Sequence, residues 1–455
     1  MAGGKLYLME ALVGFDTGSE LDLVAVVVVA AAVAGLRPED AAPRTERAHV
    51  VRKTRERAPH QLIARCDVDV DPLLPPLPPQ CFQLIARQLL GALEYITTRW
   101  WRHPENVVVA RADAPGRVNL IGEHTDYNDG LVLPAVIPQR TTVELEARED
   151  DRVLVQSEGF GSVAYVLRRE ERANDWGDFL RGVTWALADG GHVVRGFDAR
   201  ITSTVPPGAG LASSAALAVA LLRALRVTFE LPLSDEAVAQ IAHRAEREFV
   251  GAQVGTMDQL AASLGRDGEA LFIDTRSGTT ARIALPRSFA LIVIDSGIAH
   301  DHARGAYNAR REECEQAARL IGVRALRDAT ERDAAALEPE HPTLARRARH
   351  VIAENTRVRS FVSALEAGEI VTCGRLLDES HRSLRDDFAV SIPEIDTLVA
   401  LVRGQPGVHG ARIVGGGFGG SVLAVATPQG APQAARAAVD AYRAEVRREA
   451  RVVLS

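Results

Sequence analysis

Cysteine is scarce in this chain of 455 residues. Cys66, Cys81, Cys314 and Cys373 are scattered, at neither metal-ligand nor disulfide-framework spacing. That excludes a disulfide-stapled fold and a cysteine-zinc centre, and makes a reducing cytoplasm the expected compartment. Positive charge is not in excess. The formal net charge is -7, which gives nucleic acid and acidic membrane surfaces no handle. Apolar length is also short. "LVAVVVVAAAVAGL" at 23–36 is uncharged but falls below the roughly 20 residues of a membrane helix. A signal peptide would carry a basic region ahead of it; here Lys5 is outnumbered by Glu10, Asp16, Glu20 and Asp22. A buried strand or helix is the expectation for 23–36, with a targeting segment or an unordered extension as alternatives.

What is present is ordinary globular material, 47% hydrophobic and 25% charged, long enough for a large domain or two to three lobes. Its character changes near residue 105. Before it, "DPLLPPLPPQ" at 71–80 reads as an extended linker, because proline can enter neither helix interiors nor central strands. QLIAR occurs at 61–65 and 83–87, too little for a repeat architecture. Nothing before residue 105 carries recognisable chemistry, so 1–104 is expected to be a partly disordered N-terminal extension. After it, valine-rich or alternating runs predict strands at 106–111, 152–159, 162–169, 197–204, 270–275 and 289–297. Ser234 as N-cap, Asp235 and Glu236 in the first turn and Gly251 at the end predict a helix over 234–251. Another amphipathic helix is predicted over 432–450. Strands and helices mix without strict alternation, which indicates an α+β fold.

Four stretches carry chemistry. "GRVNLIGEHTDYNDG" at 116–130 crowds Arg117, Glu123, His124, Thr125, Asp126 and Asp129 around a small apolar cluster. So many hydrogen-bonding groups read as a loop rather than a buried segment. "VPPGAGLASSAAL" at 205–217 follows a strand. Its glycines loosen the turn, and Ser213 and Ser214 open an Ala/Leu-rich helix, whose unpaired N–H groups and positive dipole end suit phosphate. By itself such a junction is more often a plain turn with an N-cap. A Walker A loop is excluded, since no Lys-Ser/Thr pair follows the glycines. "VGTMDQLAASLG" at 254–265 holds Asp258 among small and apolar residues, where a lone aspartate is more often a cap. "IVGGGFGGSVLAV" at 413–425 permits a tight turn or close approach of another segment.

In order and wording the four stretches resemble the galactokinase branch of the GHMP kinase superfamily (galactokinase, homoserine, mevalonate and phosphomevalonate kinases), over roughly residues 107–450. The resemblance implies a two-lobed fold, a ribosomal protein S5 domain 2-like N-lobe at 105–295 and a ferredoxin-like C-lobe at 296–455. It implies ATP-dependent phosphorylation of D-galactose at O1. Arabinose or galacturonate is the alternative substrate, and a non-catalytic sugar and ATP sensor the alternative class. Glu123, His124, Thr125, Asp126 and Tyr307 are implied to hold the sugar, whose epimers only directional partners can tell apart. Asp258 is implied to take the O1 proton and Arg117 to stabilise the transferring phosphoryl group. The loop Gly208, Ala209, Gly210, Leu211, Ala212, Ser213 and Ser214 is implied to bind ATP, and Ser214 with Glu246 to hold Mg2+. Alone, Glu246 would read as a solvated helix position; its spacing from Asp258 gives it the implied role. Galactose and ATP are the implied partners of a cytoplasmic monomer. Two departures stand out: Ala299 where the family usually has Arg or Lys, with His300 and His302 nearby, and the long N-terminal region.

Overall fold

The computed structural model describes residues 109–252, 254–298 and 303–455, and the backbone alone of 11–13, 62–64 and 303–304. The chain separates into two units, Met1–Pro104 and Glu105–Ser455. In the first, β1 (Ala11–Val13) pairs antiparallel with β2 (Leu62–Ala64). The apolar run at 23–36 and the proline stretch at 71–80 lie outside the described residues, as do Ala299, His300 and His302.

The second unit opens with an eight-stranded sheet. Its strands are β3 (Ala110–Asn119), β4 (Leu131–Val132), β5 (Pro134–Ala147), β6 (Arg152–Ser157), β7 (Gly161–Val166), β8 (Phe197–Ser203), β9 (Glu269–Asp274) and β10 (Thr279–Ala284). They run in the order β10-β9-β5-β8-β6-β7, with β3 on β5 and β4 on β9. Only β6 and β8 pair in parallel. Helices α1 (Asp178–Asp189), α2 (Ser213–Thr228), α3 (Asp235–Arg244) and α4 (Met257–Leu264) accompany it. Leu180, Leu221 and Val238 from them pack with Val143, Val155 and Phe197 of the sheet. A second sheet, β12-β13-β11-β14, is built from β11 (Ala290–Asp295), β12 (Val408–Val414), β13 (Ser421–Ala426) and β14 (Arg451–Leu454). It is joined by α5 (Ala303–Ile321), α6 (Glu331–Leu337), α7 (Pro342–Glu366), α8 (Ile370–Asp386), α9 (Pro393–Arg403) and α10 (Ala431–Val446).

A third apolar cluster positions the site. Val118, Leu120 and Ile121 are fully buried against Val358 and Phe361 of α7 and Leu377 of α8, each contributing roughly 1.5–3 kcal/mol. The expectation that 116–130 is unsuited to burial is therefore corrected, while its reading as a loop holds from Leu120 to Gly130. Its start is strand, and Arg117, Glu123, His124 and Thr125 are all buried. The apolar residues between them draw the polar ones inward, and other segments satisfy them.

Most expected strands are present within a residue or two at each end. The first is shifted: β3 begins at Ala110 and runs on to Asn119. The helix expected over 234–251 has its N-cap, with Ser234 Oγ accepting from the Ala237 amide at 3.2 Å. It widens, however, into a π-helical turn at Ala245–Val250 before Gly251, at φ 82°, ends it. The helix expected over 432–450 stops at Val446, where Arg447 takes a left-handed conformation, and β14 follows. Among the described residues, no helix is long and apolar enough to cross a membrane.

Candidate active site

Arg117 stands at the centre. Its Nε and Nη2 donate to Asp258 Oδ1 at 2.9 and 2.7 Å, and Nη2 also reaches Oδ2 at 2.7 Å. Its Nη1 donates to the Gly210 carbonyl at 2.6 Å. One guanidinium thus ties the glycine loop to the Asp258 carboxylate, using the planar fork that lysine lacks. Asp258 lies in the first turn of α4, where the helix dipole favours a negative charge.

The glycine loop leads into α2 as expected, with Ser213 its first residue. Gly208 and Gly210 have φ of 70° and 75°, a region that disfavours side chains. A Cβ on Gly208 would meet nothing within 4 Å, so space remains above the loop. Ser214 Oγ donates to Glu246 Oε1 at 3.0 Å, and Gln259 Nε2 donates to Oε2 at 2.7 Å. The π-helical turn carries Glu246 here. Burial, then the charge of Asp258, raises its carboxyl to about 7. No cationic side chain among the described residues forms an ion pair with it.

On the sugar-motif side, Glu123 Oε1 accepts from the Gly415 amide at 2.8 Å and from Arg412 Nη2 at 3.3 Å. Thr125 Oγ1 faces the Gly122 and Leu131 carbonyls at 2.8 and 2.6 Å, so it holds the loop together. Asp126 is pushed up to about 6 by burial, then by Asp258 and Glu123. It packs so closely on Gly255 that a Cβ there would fall 2.1 Å from its Oδ2. His124 is buried beside Tyr307 of α5, with ring centroids 5.6 Å apart. The structure therefore brings together every candidate named from sequence. The fourth stretch joins in as well: Gly415 holds Glu123, and Ser421 Oγ donates to Ala209 O at 2.7 Å.

Some residues here escaped sequence reasoning. Arg412 is fully buried and donates to Leu120 O at 2.9 Å, Asn119 O at 2.5 Å and Ile413 O at 2.8 Å. A lone cation in an apolar strand beside the glycine run was the available signal. Gln259 stood next to Asp258 in a stretch already singled out. Glu354 accepts from Gly122 N, Ser380 Oγ and Arg357 Nε at 3.0, 2.7 and 2.6 Å. His350 Nε2 meets Glu123 O at 3.1 Å. Both sit on α7, whose sequence gives no local hint of either contact.

Comparison with known proteins shows the family. Residues 103–146 match the galactokinase galactose-binding signature, 178–266 the GHMP kinases N terminal domain and 361–444 the GHMP kinases C terminal domain. A galactokinase of Roseiflexus sp. (strain RS-1) is 46% identical over 331 residues, covering 71% of this chain and 84% of that protein. The chain belongs to the galactokinase family. The crystal structure of Lactococcus lactis galactokinase complexed with galactose superposes with a TM-score of 0.75 at 29% identity, over 80% of this chain and 97% of that one. L. major mevalonate kinase, at 20% identity and a TM-score of 0.55, over 75% and 94% of the two chains, shares the fold. Membership accounts for the α+β architecture with GHMP kinase N- and C-terminal domains.

Proposed function

We propose that the protein transfers the γ-phosphoryl group of ATP to O1 of D-galactose, giving galactose 1-phosphate and ADP. The Arg117 guanidinium carries this reading, because it joins the loop before α2 to Asp258, with Glu123, His124 and Asp126 alongside. The O1–phosphorus bond forms as the bond to the ADP oxygen breaks, and the O1 proton passes to Asp258. A base in this position contributes roughly 10²–10⁴ in rate. Arg117 stabilises the negative charge of the phosphoryl group in flight. Glu123, His124, Asp126 and Tyr307 bind the sugar hydroxyls. Thr125 acts by fixing the loop. The amides of 208–214 bind the ATP phosphates.

Ser214 and Glu246 suit a magnesium ion. Two oxygen ligands lie together at a helix start, and a buried carboxyl lifted to about 7 lacks a cation. When bound, the ion neutralises phosphate charge. We place the lobes at 105–295 and 296–455, and read the protein as a cytoplasmic monomer acting on small molecules rather than on nucleic acid or membrane. A coupled ADP-release assay over a sugar panel tests the reading. Galactose is expected to exceed glucose by at least about 10²-fold in kcat/KM, because a site built around one epimer leaves buried groups unpaired with the other. Preference for arabinose or galacturonate would overturn the choice of sugar. No ADP release with any sugar would leave a sensor.

A further inference from the structure

His124 is held from several sides. Its backbone sits at φ 63°, and Asn128 Nδ2 donates to its carbonyl at 2.9 Å. Its ring packs against Phe388, with centroids 4.6 Å apart. Burial, helped by His350 and Arg310, brings the imidazole down to about 3. The ring is therefore neutral and carries one proton. Where that proton sits decides whether His124 offers a ligand a donor or an acceptor.

The surroundings choose. Nδ1 lies 2.9 Å from the Tyr127 hydroxyl. Nε2 is buried with no hydrogen-bond partner. The Tyr127 hydroxyl has no second partner among the described residues, and burial keeps the phenol protonated by raising it well above its ordinary value. If Nδ1–H donated to the phenol oxygen, the phenol proton and the Nε2 lone pair would both go unmatched. If the phenol donates to Nδ1, the Nε2–H and the lone pairs of the phenol oxygen are the groups left. The numbers are equal, but the second pairs the more acidic donor, the phenol O–H, with the more basic acceptor, the imidazole nitrogen, and leaves the weakly accepting phenol oxygen rather than a basic nitrogen without a donor. His350 reaches the same tautomer by another route, since its Nε2 faces the Glu123 carbonyl, which can only accept.

We infer that Tyr127 is a positioning residue: its hydroxyl donates to His124 Nδ1 and fixes the tautomer in which Nε2–H is the group offered to the sugar. His124 is then a donor among the acceptors Glu123, Asp126 and Asp258, and the hydroxyl it meets must accept. This rests on the reading of the site as a hexose site.

The test begins with wild-type protein labelled with 15N-histidine, His124 being assigned by comparison with His124→Gln. Between pH 6 and 8 its Nδ1 should resonate as an unprotonated nitrogen and its Nε2 as a protonated one. Tyr127→Phe should then give a tautomer mixture. It should raise the galactose KM roughly tenfold and leave the ATP KM within about twofold, as loss of one hydrogen bond to the sugar implies. Among deoxygalactoses, the one lacking the partner hydroxyl should lose little further on Tyr127→Phe. A proton on Nδ1 in wild-type protein that turns galactose over would overturn the inference and leave the kinase reading intact. So would equal losses with every deoxy sugar, or parallel rises in both KM values. Wild-type protein that ignores galactose overturns the kinase reading, whatever the imidazole signals show.

Discussion

Two carboxylates at the same loop, Glu354 fully buried and Asp126 half-buried, behave in opposite ways. Glu354, behind it, is saturated by the Gly122 amide, Ser380 and Arg357. Burial alone would raise its pKa, but the charges of Arg357, His350 and Arg412 outweigh that and hold it at about 2. Asp126, in front, is raised to about 6 by burial, Asp258 and Glu123. Glu246, farther along the front, reaches about 7. The scaffold side is internally compensated. The open side keeps acceptor capacity that only a ligand can match, and it is less stable for that reason.

The largest effect is expected from Asp258→Asn, which keeps the volume and removes the charge. Turnover should fall by roughly 10²–10⁴; a drop below about tenfold in single-turnover kinetics would remove Asp258 as the base. Next comes Glu354→Gln, which leaves Arg357 buried beside a neutral group. It should cost about 3–5 kcal/mol in urea unfolding, and a neutral result would show that the scaffold side is not compensated as described.

Asp126→Asn should do the reverse. Asp126 is near 3.9 when unfolded and about 6 when folded. It therefore favours the folded state while protonated, and that contribution is lost as pH rises through 6. The variant should be more stable than wild type at pH 8 by roughly 1–3 kcal/mol, and equal to it near pH 4. Its galactose KM should rise roughly 5- to 150-fold, with the ATP KM little changed. Thermal melts at the two pH values, together with initial rates, check both halves. The smallest effect is expected from removing residues 1–104. Because they form a separate unit, the remainder should fold and keep kcat/KM within about twofold. Insoluble protein, or a large loss of activity, would mean that the kinase unit needs them.

Much of this was legible in the sequence, for identifiable reasons. The strands at 152–157 and 197–203 could be read because alternation reports one buried face. Ser234 announced its cap. Apart from Glu246 and Tyr307, the candidate residues came from three contiguous stretches, 116–130, 205–217 and 254–265, whose order and spacing are themselves sequence information. Arg412, Glu354 and His350 were not legible as site residues. Their roles arise from contacts across 227 to 293 positions, and no local pattern encodes such a partner. The burial of 116–130 was hidden for the same reason, since the groups that make it tolerable lie far away in the chain. The π-helical turn at Glu246 was hidden too, because a single extra residue per turn leaves the apolar period almost unchanged.

One guanidinium serves the loop before α2 and the Asp258 carboxylate together. Anything that shifts the Gly210 carbonyl therefore alters the hold on Asp258, and anything that engages Asp258 alters the hold on the loop. The two ligands are then linked, and linkage is reciprocal. Whatever factor ATP imposes on the dissociation constant of galactose, galactose must impose on that of ATP. Arg117→Lys, which cannot span both contacts with a planar fork, should bring that factor toward one even where each ligand still binds alone. Calorimetric titration of each ligand in the presence and absence of the other reads it directly.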